Sequence, residues 1–104
     1  MICGIIRREE KEMNQLENAR KEIEKIDQEM AQLYERRLDA VMKVVAYKKK
    51  HQLPVLDRNR EQELIKKNRA YIQNPRYEKS YCAFFQMVMD NSKAFQKEEL
   101  ENQE

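Results

Sequence analysis

From residue 5 to residue 53 the chain contains neither glycine nor proline. Over that span Leu16, Ala19, Ile23, Ile26, Met30, Leu33, Arg37, Ala40 and Val44 recur at alternating steps of three and four, the spacing that keeps side chains on one face of an α-helix. The pattern predicts one helix from about residue 13 to about residue 50. His51-Gln52-Leu53-Pro54 should stop it, because proline lacks the N–H a helix needs and restricts the residue before it. At 1.5 Å per residue such a helix is roughly 55 Å long, whereas a compact globule of this size has a radius of gyration of only ~13 Å. A helix that overshoots its own domain needs cover from another chain, so an oligomer is expected.

The rest of the chain divides into two further helices. Asp57 is a suitable N-cap, with Glu61 in the first turn near the positive end of the dipole, and Leu64, Ile65, Asn68 and Ile72 continue one face to about residue 72. Asn74-Pro75 reads as the cap and N1 proline of a third helix. Its inner face is expected to carry Tyr81, Phe84, Phe85, Val88, Ser92, Phe95 and Gln96, and Lys97 to Glu104 reads as a polar, frayed end. The expected fold class is all-α, with three helices, long, short and medium, and no strand or internal repeat. Ala, Glu, Lys, Leu and Arg supply 50 of the 104 residues, a balance that suits long helices. Residues 1–12 read as an N-terminal extension with Met13 as a second possible start, 13–97 as the domain, and 98–104 as a polar tail.

Several chemistries are excluded by composition. One glycine, Gly4, builds neither a phosphate-cradling loop nor a dinucleotide fingerprint. A single histidine, His51, and two distant cysteines, Cys3 and Cys82, offer no zinc site and no plausible catalytic triad, so neither a metal nor a cofactor is expected. A net charge of +2 is too balanced to indicate a nucleic-acid partner, and the short basic run Lys48-Lys49-Lys50 reads as a solvated helix end. Apolar stretches are too short for a membrane span or a signal-peptide core. With two unpaired-looking cysteines, the expectation is a cytoplasmic protein. Chemistry here falls to Arg, Lys, carboxylates and amides.

The informative anomalies are polar residues on the apolar stripes. Arg37 occupies a seam position, and Lys48 follows at the next step after Val44. Eleven residues at 100° each return to within about 20° of the same direction, so the two cations project from one face roughly 16 Å apart, able to bracket a small anion. Ser92 and Gln96 form an i,i+4 pair prolonging the aromatic stripe of the third helix, and Arg60 and Glu61 precede Leu64 and Ile65 on the inward side of the second. A buried charge without a partner costs several kcal/mol, so inward cations call for anions. The periodicity leaves two readings open, an anion-binding helical bundle and a coiled-coil adaptor whose polar positions merely pair.

Arg20-Lys-Glu-Ile-Glu-Lys-Ile-Asp27, Leu33-Tyr-Glu-Arg-Arg37, Ala46-Tyr-Lys48, Pro54-Val-Leu-Asp57-Arg-Asn-Arg60-Glu61 and Phe85-Gln-Met-Val-Met-Asp-Asn-Ser92-Lys-Ala-Phe-Gln96 together resemble the all-α chorismate mutases. The resemblance spans residues 16 to about 97. It implies an intertwined homodimer in which each site draws on both chains, and rearrangement of chorismate to prephenate on the way to phenylalanine and tyrosine. Carried over position by position, it implies that Arg20 of one chain binds a substrate carboxylate in the partner's site and that Arg37 binds the other. Lys48 would contact a carboxylate and the ether oxygen, and Gln96 would donate its amide N–H to that same oxygen. Glu61 would hold the ring hydroxyl with help from the Asp57 backbone, and Arg60 and Ser92 would line the carboxylate side.

Two considerations accord with these assignments. Arg20 and Lys48 lie 28 residues apart on one helix, roughly 42 Å, and reach one small ligand only if Arg20 comes from a second chain. An antiparallel partner would then cross near Met30, as in an isologous dimer. Four cations (Arg20, Arg37, Lys48, Arg60) against two carboxylates (Asp57, Glu61) leave a surplus that suits a dicarboxylate. The rearrangement is intramolecular and requires no nucleophile or cofactor. The alternatives are an isochorismate-pyruvate lyase of the same fold, less well matched at Glu61 and Ser92, and a non-catalytic helical interaction module.

Overall fold

The computed structural model describes residues 2–102, with side-chain surroundings from Glu10 onward. Helix α1 covers Ile2–His51, α2 covers Arg58–Arg69, a 3-10 turn covers Pro75–Tyr77, and α3 covers Glu78–Glu101. No strand occurs among the described residues, and none of their helices is long and apolar enough to cross a membrane.

Helix α1 begins at Ile2, well before the expected start near residue 13, and passes through the stretch read as an extension. Only Gly4 stands in its way, and a lone glycine near a helix start costs about 1 kcal/mol relative to alanine, too little to end a helix. Cys3 lies outside the described side chains, and Cys82 is a free, half-buried thiol.

The chain divides into two compact units, the first reaching to Arg37 and the second starting at Leu38. The first is one helical segment, and every described side chain from Glu10 to Arg36 is exposed. That includes Leu16, Ile23, Ile26, Met30 and Leu33 of the apolar stripe.

The second unit holds the core: Val41 and Val45 from α1 with Phe85 and Met89 from α3. Val45 is the best covered, at 1% exposure. Tyr81 stacks on Phe85 with ring centroids 6.0 Å apart. The buried face of α1 is therefore rotated from the expected stripe. Ala40 and Val44 are exposed, and Val41 and Val45, each one residue further on, are buried. At 100° per residue, Lys48 lies between the two faces, which leaves it half-buried. On α3 a similar rotation buries Met89, Ser92 and Gln96 with Phe85, and leaves Phe84 47% exposed.

Helix α1 ends in a left-handed turn. The Leu53 N–H donates to Lys48 O at 3.0 Å and the Gln52 N–H to Lys49 O at 3.4 Å, the paired 6→1 and 5→2 bonds of a Schellman motif. Gln52 takes the left-handed position, at φ 55°, where glycine is preferred because a Cβ crowds the following carbonyl. Gln52→Gly should therefore raise unfolding stability by up to about 1 kcal/mol in denaturant titration. A loss of stability would mean that position 52 gains nothing from left-handed freedom.

Two later boundaries differ from the sequence reading. Helix α2 stops at Arg69, short of residue 72, as Tyr71 and Ile72 N–H groups turn back to Asn68 O and Arg69 O at 3.0 and 3.2 Å. Asn74 and Pro75 do cap and open a helical segment, but it is a single 3-10 turn, with the Asn74 side chain accepting from the Arg76 N–H. The end expected to fray stays helical to Glu101, where Glu99 and Leu100 are half-buried; residues 103 and 104 lie outside the described residues.

Candidate active site

Lys48 sits in the last turn of α1, where the carbonyl end of the helix favours a cation. The Schellman turn folds the chain back over it, and the Lys48 Nζ donates to Val55 O at 3.0 Å. Its second bond crosses to α3, donating to Gln96 Oε1 at 2.9 Å. Burial pushes the Lys48 ammonium below its ordinary value, and the Asp57 carboxylate offsets part of that. A desolvated cation held by two neutral oxygens is a strong site for an incoming anion, because nothing of opposite charge is bonded to it.

Among the described residues, Gln96 and Ser92 are the two buried polar ones, at 8% and 6% exposure. They stand one turn apart on the face of α3 that carries Phe85 and Met89. Gln96 Nε2 donates to Ser92 Oγ at 3.1 Å, so the three side chains form one line, Lys48 to Gln96 to Ser92. The direction of this line has a chemical cause. An ammonium only donates, so Lys48 requires the carbonyl oxygen of Gln96 to face it, which turns the amide N–H toward Ser92. This bond commits one of the two Nε2 protons.

Asp57 caps α2, its Oδ1 accepting from the Arg60 N–H at 3.0 Å while its carbonyl accepts from the Glu61 N–H. Its carboxylate is exposed. Glu61 is half-buried on the face of α2 shared by Leu64, Ile65 and Asn68. Glu61 Oε1 has no exposure to solvent and lies 2.8 Å from Lys93 Nζ. The contact is an ion pair rather than a well-aligned hydrogen bond. Arg60, expected inward, is exposed, since it stands 100° from Glu61 and off that face.

The remaining two candidates belong to the first unit. Arg37 is half-buried and its neighbour Arg36 exposed. Arg20 is exposed and pairs with Glu17 one turn back at 3.3 Å, a weak surface contact. The structure thus joins Lys48, Gln96 and Ser92 by direct bonds and sets Asp57 and Glu61 on α2 of the same unit.

Two participants were not singled out from sequence. The Val55 carbonyl has no sequence signature, because any residue there supplies one. Lys93 had one: 100° steps place it on the flank of the Met89–Gln96 face, three residues after Asp90. A separate open cleft lined by Arg69, Pro75, Glu78, Lys79 and Cys82 shares no residue with this cluster, and its Arg69 and Glu78 are paired with each other.

Comparison with curated proteins and with solved structures found no match. A family model described as chorismate mutase type II matches residues 19–97. That interval begins just before Arg20, ends just after Gln96, and takes in 79 of the 104 residues, including every candidate named above. An all-helical chain matched over that length belongs to the chorismate mutase type II family.

Proposed function

We propose that the chain is a chorismate mutase that rearranges chorismate to prephenate, with a site shared between two copies. The observation that carries this reading is the bonded line Lys48–Gln96–Ser92, a desolvated cation and two buried polar groups inside an otherwise apolar helical contact. Buried polar groups cost stability unless paired, so a chain that keeps two of them bonded to a half-buried lysine has a use for them.

In the rearrangement the ether C–O bond breaks as a C–C bond forms within the same molecule, so atoms balance without water or a second substrate. The protein's work is to hold the folded conformer and to stabilise negative charge on the ether oxygen. Even a ~10⁶-fold acceleration takes about 8 kcal/mol. Lys48 is the natural donor to that oxygen, being cationic and desolvated. Gln96, by accepting from Lys48, aims its ammonium, and the amide proton not bonded to Ser92 is assigned to the same oxygen. Arg37 and, from the second copy, Arg20 are assigned to the two carboxylates, with Arg60 and Ser92 on the carboxylate side. Glu61 is assigned to the ring hydroxyl, helped by the Asp57 backbone.

A second copy is supported by the first unit. Among the described residues sixteen large apolar side chains are exposed, and those from Met13 to Leu33 lie on one helical segment. Most helical stability comes from packing an amphipathic face, and an apolar stripe of that extent is characteristic of an interaction site.

Binding is tested by thermal-shift titration with a dicarboxylate ether inhibitor. The Tm should climb with inhibitor concentration, and Lys48→Ala should abolish the climb. A flat response in the parent protein would favour an interaction module.

The Lys48–Gln96 bond also sets a pH signature. Because the Lys48 pKa is depressed, its charge is lost earlier on the alkaline side than that of an ordinary lysine, and kcat/KM should fall there. From roughly pH 6 to 8 the parent should be flat. In Gln96→Glu the ionised carboxylate pairs with Lys48 and opposes the charge developing on the ether oxygen. Activity should be poor at neutral pH and recover as the carboxyl protonates on acidification. Equal activity relative to the parent at pH 5 and pH 8 would separate position 96 from the reacting oxygen.

A further inference from the structure

Helix α2 is lightly seated: none of its residues is buried, and Leu64, Ile65 and Asn68 are only half-covered. Polar ties to α3 therefore matter to where it sits. At its C-terminal end Arg69 pairs with Glu78, and the Tyr81 hydroxyl donates to Asn68 Oδ1 at 3.4 Å. At its N-terminal end, which carries the hydroxyl-binding candidate, the tie is the Lys93 ammonium 2.8 Å from Glu61 Oε1.

Lys93 is itself held. Its Nζ lies 3.2 Å from Asp90 Oδ1, and that same oxygen accepts from Gln86 Nε2 at 3.0 Å. A line of polar side chains thus runs along α3 at steps of four and three and ends on α2. The charges agree with it. Lys93 is raised above its ordinary value, first by its contact with Glu61 and then by Asp90, and Asp90 is lowered by Gln86 and Lys93.

Glu61 needs such a partner. An ionised oxygen cut off from water is costly unless a cation stands against it, and Oε1 has no solvent exposure. With one oxygen held, the orientations open to the carboxylate are restricted. We propose that Lys93 is a positioning residue that grips Glu61 by Oε1, so that Oε2 is presented to the hydroxyl group of a bound dicarboxylate. This deepens the mutase reading and rests on it. Lys93 touches no reacting atom; it acts through Glu61.

The role implies a selective loss. Lys93→Met and Lys93→Arg are to be compared with the parent by steady-state kinetics on chorismate. In parallel, calorimetry measures binding of two probes, a bicyclic ether dicarboxylate bearing the ring hydroxyl and its deoxy counterpart. Lys93→Met should lower kcat/KM about tenfold and weaken the hydroxyl-bearing probe by a similar factor, with the deoxy probe unchanged. Lys93→Arg should restore most of both. Because Lys93 is on the surface side of α3, with 32% of its side chain exposed, these variants should fold, as far-UV circular dichroism would verify. The double variant Glu61→Gln/Lys93→Met should be no worse than Glu61→Gln alone, since both act through one carboxylate.

Equal weakening of the two probes would overturn the proposal, as Lys93 would then serve the carboxylates or the fold at large. No loss in an active Lys93→Met would overturn it alone and leave the mutase reading standing. A parent protein that neither turns over chorismate nor binds either probe would remove both.

Discussion

Replacing Lys48 with alanine is expected to lower kcat/KM by at least about 10³-fold, the scale of losing one donor to a developing oxyanion. The loss should lie mainly in kcat, because in the proposed role the ammonium would bond the ether oxygen more strongly as the C–O bond breaks. Truncation also leaves Val55 O and Gln96 Oε1 without the donor they now share, so water would enter the site. Arg20→Ala should be similarly impaired for a different reason, since on the proposed reading Arg20 is a carboxylate partner supplied from the second chain. Mixing the two inactive variants, unfolding and refolding them tests the sharing directly. Random pairing makes half of the dimers mixed, and each mixed dimer carries one site with both residues intact and one with neither. About a quarter of parental activity should return. No recovery despite mixed dimers detected by mass would place Arg20 outside the partner's site.

A charge at Met30 should be equally damaging, by a different route. Met30 is 45% exposed on a segment with no buried described residue, and an antiparallel partner bringing Arg20 toward Lys48 would cross near it. Met30→Glu would then set two carboxylates against each other across a two-fold axis in an apolar contact, at a cost of several kcal/mol. Sedimentation at micromolar concentration should show the parent as a dimer and Met30→Glu as dissociated or unfolded, and the parent's Tm should rise with protein concentration. A stable, folded, active parental monomer would contradict the shared site.

The helices were legible because their signals are local. The long interval free of glycine and proline foretells α1, and Asp57 and Asn74 mark the starts of the next two helical segments. Facial assignments were less legible. The stripe through Ala40 and Val44 is a genuine apolar period, yet the core takes Val41 and Val45. When a helix carries apolar residues on two adjacent faces, periodicity does not say which one packs internally. The same ambiguity turned Met89 inward and left Arg60 outside.

The polar cluster was partly legible. Lys48, Ser92 and Gln96 stand out as polar residues on apolar faces, but the direction of the Gln96 amide depends on Lys48 being a pure donor across a helix contact, which spacing does not encode. Glu61 was visible on the stripe of α2. Its partner Lys93 carried only a weak signal, its place on the flank of the Met89–Gln96 face, because a lysine there resembles any solvated lysine until the facing helix is placed.

The most direct measurement is incubation of the purified chain with chorismate and, separately, with isochorismate, with products identified by nuclear magnetic resonance. The expected result is prephenate from chorismate, with no pyruvate released from either substrate and no activity in Lys48→Ala. Pyruvate from isochorismate would assign the site to the lyase reaction, and unchanged chorismate in a folded dimer would contradict the assignment of Lys48, Gln96 and Ser92 to catalysis.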